Sequence, residues 1–246
     1  MTATSPTAAV LIIGNEILSG KTQDANLQFF GVQLAKLGIR LEEARVVRDI
    51  PEAIIEHLNE CRSKFTYVFT TGGIGPTHDD ITAECVARAF DLPLVIHQGA
   101  VERLTRGGRE LNEARLRMAR VPQGAELVDN PVSNAPGFRI DNVFVLAGIP
   151  SVARGMFEQA VPMLARGTPI TSAGVDVYLR ESDFAAALED IQSRHATVEI
   201  GSYPFSRDGR FGATLVVRGT DPALIERVLE EIVAAMTALG GETRRI

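Results

Sequence analysis

The sequence predicts an α/β fold of three αβα layers on a mostly parallel sheet, followed by a small α+β domain. The continuous apolar run at residues 8–13 and the short segments at 66–70 and 143–146 have the pattern of strands buried on both faces. Segments with apolar residues at helical spacing separate them, and strand alternating with helix is the signature of a parallel sheet covered on both sides. Past about residue 168 the order changes to strand, helix, two strands, helix.

The elements follow in chain order. Residues 8–13 form the first strand and end at Gly14. Leu27, Phe30, Leu34 and Leu37 repeat at helical spacing, and Gly38 closes that helix. Residues 39–47 alternate enough for a second strand. Pro51 opens a helix carrying Ile54, Ile55, Leu58 and Cys61. Residues 66–70 are a third buried strand, and residues 77–89 are expected to form a helix with Thr and Asp at its start. A long helical stretch is expected over 100–120, broken or kinked at Gly107-Gly108 and ended by Pro122. The strand at 143–146 leads through Gly148-Ile149-Pro150-Ser151 into a helix with Met156, Phe157 and Val161. These elements assign residues 1–168 to the first domain and 169–246 to the second. In the second, 175–179 is read as a strand and 182–194 as a helix. Residues 197–203 and 213–218 are expected to pair as a hairpin across Ser206-Arg207-Asp208-Gly209, and 221–239 as an amphipathic helix.

Composition bounds the function. Hydrophobic residues make up 45% and charged residues 23%, ordinary for a globular chain. The net charge of −6 argues against nucleic acid as a partner, which needs a basic face. It leaves room for a small anion, because backbone N–H groups and metal ions supply local positive potential. Two distant cysteines, Cys61 and Cys85, make neither a disulfide framework nor a C-x-x-C metal site. The start of the chain lacks the basic and apolar regions of a signal peptide, and no apolar run reaches the ~20 residues of a membrane span. A cytoplasmic protein without a membrane partner is expected.

The chemistry is expected in loops that follow strands, because open α/β sheets bind ligands at their carboxyl edge. One such loop is Gly14-Asn15-Glu16-Ile17-Leu18-Ser19-Gly20. A second is Thr70-Thr71-Gly72-Gly73-Ile74-Gly75-Pro76-Thr77-His78-Asp79-Asp80, and a third is Ala147-Gly148-Ile149-Pro150-Ser151. The glycines of the second loop let successive N–H groups converge on an anion. Asp79 and Asp80 would repel a phosphate unless a cation lies between, so a divalent metal, Mg²⁺ or similar, is expected on Asp80. Equally, Thr77, Asp79 and Asp80 could cap a helix. Two better-known phosphate motifs fail. The second loop lacks the third glycine of the dinucleotide fingerprint, and Gly14 to Gly20 has one residue too many for a P-loop.

Together these strings resemble the N-terminal domain of the competence/damage-inducible protein A (CinA) family, a molybdopterin-binding fold of the MoaB/Mog type. Gly14 to Gly20 is similar to its opening motif, with Asn15 where threonine is usual. Thr71 to Thr82 is similar to its signature loop. Asn130-Pro131 through Ala135-Pro136-Gly137-Phe138 and Ala147-Gly148-Ile149-Pro150 are similar to its later motifs, with Ala147 where proline is usual. The tail, with Gly201-Ser202-Tyr203-Pro204-Phe205, resembles the small domain that follows this fold in CinA-type proteins and FAD synthases. The resemblance implies a nucleotide pyrophosphatase, a hydrolase acting on ADP-ribose or FAD with a divalent metal. The alternatives are a molybdopterin adenylyltransferase-like enzyme and a non-catalytic module that binds a nucleotide or pterin. It implies a homo-oligomer, dimer or trimer. It also implies roles for residues. Asp80 and Asp49 would be catalytic and hold the metal. Gly14, Asn15, Glu16, Thr71, Gly72, Gly73, Gly75, Pro76, Thr77, Asp79, Gly148, Pro150 and Ser151 would bind the ligand. Asp49 could also cap the helix at Pro51, and Asp24 and Asn26 are expected mainly as helix caps.

Overall fold

The computed structural model describes residues 5–207 and 209–246 and divides into two compact units, Met1–Gly167 and Thr168–Ile246. In the first unit β1 (Thr7–Ile13) leads into a short helix, α1 (Asn15–Leu18), then α2 (Asn26–Lys36) and β2 (Arg40–Val47). Next come α3 (Pro51–Lys64), β3 (Tyr67–Thr71), α4 (Thr82–Ala89), β4 (Leu94–Ile96), α5 (Gln98–Leu104) and α6 (Glu113–Arg117). The unit continues with β5 (Arg120–Pro122), β6 (Glu126–Val128), β7 (Gly137–Ile140), β8 (Val143–Leu146) and α7 (Pro150–Ala160).

The main sheet has the order β2-β1-β3-β8-β7-β6. Its first four strands run parallel, whereas β7 pairs antiparallel with β8, and β6 antiparallel with β7 at the edge. Strand β1 shows why this sheet lies inside. Its side chains alternate between faces, so Ala9, Leu11 and Ile13 enter the core under α3 and α4. Ala8, Val10 and Ile12 enter the opposite core, under α2 and α7. Both faces are covered, which is the three-layer fold that the apolar runs predict. In the second core Phe30, Phe69 and Phe157 meet with ring centroids 5.3–5.7 Å apart, a spacing that adds aromatic contact to plain burial.

Three expectations for this unit are corrected. The helix expected from residue 77 starts at Thr82. The Thr77 N–H and hydroxyl both bond the Asp80 carboxylate, so the segment closes a turn before helical bonding starts. The stretch expected as one broken helix over 100–120 is two separate helices, α5 and α6. Gly107 and Gly108 adopt φ of 76° and 73° between them, in the left-handed region that interrupts a right-handed helix. Arg115 braces this connection by donating to the carbonyls of Leu104 and Glu110. The first glycine loop, expected as a loop, contains α1. Strands β4, β5, β6 and β7 were not expected, being only three or four residues each and too short to show a period.

The second unit contains β9 (Thr171–Tyr178), α8 (Glu181–Arg194), β10 (Glu199–Arg207), β11 (Arg210–Gly219), α9 (Pro222–Ala238) and β12 (Glu242–Arg245). Its antiparallel sheet runs β10-β11-β9-β12. The expected hairpin is present as β10 and β11; Asp208 in its turn lies outside the described residues. Strand β12 was not expected. It reads Glu-Thr-Arg-Arg, and a short charged strand of this kind belongs at a sheet edge. Val175, Val177, Leu215 and Val217 form one core with Phe184, Ile191, Val228 and Ile232 from α8 and α9.

Asp176 is buried in β9, 2% exposed. Its carboxylate accepts from the Thr214 hydroxyl at 2.5 Å and pairs with Arg207. Burial alone would raise its pKa, but the bonds from Thr214 and Arg207 outweigh that and hold it below the usual value, about 3.9. A pKa lower in the folded chain stabilises it above the ordinary carboxylate range, and that contribution is lost as pH falls through the folded value. Thermal melts should therefore show Asp176→Asn less stable than the parent at pH 7. The gap should narrow as pH falls below the ordinary carboxylate value and through the lower folded one, where protonation makes the parent resemble the variant.

Candidate functional site

The carboxyl ends of β1, β3 and β8 bring the three glycine-containing loops together. The first loop is anchored at its base. Gly14 donates to the Val47 carbonyl at 3.1 Å, and Asn15 donates its N–H to Asp49 Oδ2 at 2.8 Å. The Glu16 side chain folds back over Gly14, so a Cβ there would meet its carboxylate. The third loop is fixed from α2, where Asn26 Nδ2 donates to the Gly148 carbonyl at 2.8 Å. Asn26 is 3% exposed, and its Oδ1 is buried with no partner among the described residues. Asp24, one residue before the N-cap position Ala25, accepts from Leu27 N–H at 2.9 Å, whereas Asn26, expected likewise as a cap, lies inside α2 and bonds Gly148 instead.

The second loop is held tightly at its start and open further on. Gly72 has φ of 105°. It donates its N–H to the Leu146 carbonyl, while its own carbonyl accepts from the Thr82 hydroxyl. The Gly73 carbonyl accepts from Thr82 N–H. The third loop passes so close that a Cβ on Gly148 would sit 3.2 Å from Gly72 Cα. The N–H groups of Gly73, Ile74 and Gly75 have no acceptor among the described residues. Asp80 Oδ2 takes both Thr77 donors, the N–H at 2.8 Å and the hydroxyl at 2.5 Å. Thr77 therefore braces the turn from within and does not point its donors at an open anion site. The Asp79 carboxyl lies below the usual range because the Thr77 hydroxyl, its own N–H and His78 favour the charged form. That hydroxyl has one proton, however, and the short bond gives it to Asp80.

Two narrow clefts divide the expected residues. One, of about 50 Å³, is lined by Glu16, Asp24, Asn26, Thr71, Gly148 and Pro150. The other, of about 20 Å³, is lined by Gly73, Gly75 and Asp80 with Arg117, Arg120 and Phe138. Gly14, Asn15 and Asp49 form the base of the first loop. Pro76, Thr77, Asp79 and Ser151 are exposed and are not among the residues lining either cleft. Arg117 and Arg120 are the residues that sequence reasoning missed. They lie in a segment of mixed charge with no motif, and folding alone carries them to the glycine loop. Cys61 and Cys85 are buried free thiols, and burial pushes Cys85 up to about 11, which makes it a poor nucleophile.

Fold and site together define an open α/β domain with a glycine-rich loop at the carboxyl edge of its parallel strands. Residues 9–166 match the family described as "Probable molybdopterin binding domain", and residues 169–240 match "FAD synthase, middle domain". The chain belongs to the molybdopterin-binding domain family, in its CinA type. A protein from Aeropyrum pernix is 35% identical over 81% of this chain and 79% of its own. A CinA-like protein from Gloeobacter violaceus is 29% identical over 96% of this chain, which spans 58% of that relative's length. Among solved structures, CinA from Thermoplasma acidophilum is similar at 30% identity and TM-score 0.61, over 65% of this chain and 98% of its own. Among the described residues, no helix is long and apolar enough to cross a membrane.

Proposed function

We propose that the N-terminal unit binds a phosphorylated nucleotide or pterin at the carboxyl ends of β1, β3 and β8. There it hydrolyses a phosphoanhydride bond, as in an ADP-ribose or FAD pyrophosphatase. The observation that carries this is the set of N–H groups at Gly73, Ile74 and Gly75, residues that line a cleft and whose amides lack acceptors among the described residues. Such groups are costly to leave unmade and suit the oxygens of a phosphate. The family match to a molybdopterin-binding domain and the tail match to FAD synthase agree with a ligand of this class.

A divalent ion fits this site in one form only. Among the described residues, no group of three or more His, Cys, Asp or Glu side chains converges to cage a metal. Asp80 Oδ1, however, has no donor among the described residues, its partner oxygen being taken by Thr77. Mg²⁺ usually takes one or two carboxylates and completes its shell with waters and phosphate oxygens. Asp80 would hold such an ion through Oδ1, and the ion would neutralise charge on the phosphate. Asp49, with one oxygen on Asn15 N–H, is proposed to assist it or to orient water. The chain's own contribution is to fix the phosphate on the loop amides and to hold the Asp80 carboxylate rigid through Thr77.

Incubation of the protein with ADP-ribose, FAD or ATP and Mg²⁺, Mn²⁺ or Co²⁺ is expected to release AMP from ADP-ribose or FAD. Turnover only with added molybdopterin would replace this with an adenylyl transfer. Binding without any turnover would leave a non-catalytic module.

A further inference from the structure

We infer that Arg117 is the cationic arm of the phosphate cradle and, with Arg120 beside it in the cleft wall, binds the polyanionic end of the ligand. This deepens the function proposed above and rests on its claim that the ligand is phosphorylated. Arg117 ends α6 and is exposed, as is Arg120. Both line the cleft that also contains Gly73, Gly75 and Asp80. Neither has a carboxylate ion-pair partner among the described residues, whereas Arg103 and Arg45 do. Among the described residues the Arg117 guanidinium makes one hydrogen bond, from Nη1 to the Thr77 carbonyl, long at 3.4 Å.

The chemistry follows from that geometry. A guanidinium has five N–H donors in a planar fork, and a single long bond leaves most of them available. That bond already places the group against the glycine loop, so little side-chain freedom is lost when a phosphate arrives. Gly72 N–H and both Thr77 donors are spent inside the fold. The loop alone therefore offers fewer donors than its glycine count suggests, and an arginine restores them together with positive charge. It also offsets Asp80, whose carboxylate would otherwise face a phosphate at close range. Arginine matches phosphate in a bidentate way that lysine cannot.

Calorimetric titration with inorganic pyrophosphate, AMP and adenosine tests this on the full chain. Arg117→Ala should weaken pyrophosphate and AMP binding by about 10–100-fold, the range for charge-assisted bonds, and flatten its dependence on salt. Adenosine binding should be unchanged. Arg117→Lys should recover part of the loss, while Arg109→Ala, an exposed arginine of the same segment outside the cleft, should behave as the parent. Parental affinity in Arg117→Ala, or an equal loss in Arg109→Ala, would overturn the inference while leaving the phosphate site standing. A parent chain that binds neither pyrophosphate nor AMP would overturn the phosphate site and the inference together.

Discussion

Asp80→Asn is expected to lower AMP release from the preferred dinucleotide by about 10²–10³-fold, comparable to the loss of one preorganised charge-stabilising group. Two jobs meet in this side chain. Oδ2 accepts from the Thr77 N–H and hydroxyl and so shapes the turn. The residue lines the cleft with Gly73, Gly75 and Arg117, and Oδ1 has no donor among the described residues. Alanine would remove both, and lost activity could then reflect a distorted loop. Asparagine keeps a carbonyl oxygen for Thr77 but removes the charge. The variant should therefore melt close to the parent, since substitutions outside a packed core usually move stability little, and still lose turnover. If Asp80→Asn turned over within a few-fold of the parent, the carboxylate would have no part in the chemistry. Should alanine lose activity while asparagine keeps it, the role of Asp80 would be confined to bracing Thr77.

Gly72→Ala is expected to cost the N-terminal unit at least about 3 kcal/mol, in the upper range for single substitutions. Two effects add. The backbone at Gly72 has φ of 105°, which an L side chain adopts only with strain of about 1–3 kcal/mol. The new Cβ would also fall on the Ile13 carbonyl of the neighbouring strand. That carbonyl belongs to the sheet and cannot swing away like the end of a flexible side chain. Gly107 separates the two effects, because it has φ of 76° but open space where a Cβ would go. Gly107→Ala should cost only about 1 kcal/mol. Chemical denaturation of both variants, read by a probe in the N-terminal unit, gives the comparison. Equal costs would show that conformation alone governs Gly72. The stability of the loop and its ligand site are coupled here, since Gly72 also contacts Gly148 and bonds Leu146 and Thr82.

Much of the fold was legible without coordinates. The run Ala-Ala-Val-Leu-Ile-Ile after Thr7 could only be a strand buried on both faces, and each of its residues from Ala8 is buried. The helical spacing of Leu27, Phe30 and Leu34 placed α2, and Pro51 placed the first turn of α3. Pro222, one residue after Asp221, marked the start of α9, where Asp221 accepts from Ala223 and Leu224 N–H. The positions of the glycine loops followed from these strand ends.

What the sequence determined by itself is therefore local: period, caps and breaks, each set by residues within a turn or two of one another. The tertiary structure alone decided which donors remain open. Whether Gly72 N–H faces a ligand or Leu146 depends on the register of β3 against β8, more than seventy residues away in the chain. Arg117 reaches Thr77 across forty residues only because α6 packs where it does. Short antiparallel strands such as β6, β7 and β12 likewise exist because an edge already stood there to pair with. A contact between distant segments leaves no period in either one, since its free energy is realised only once the chain has closed the loop between them.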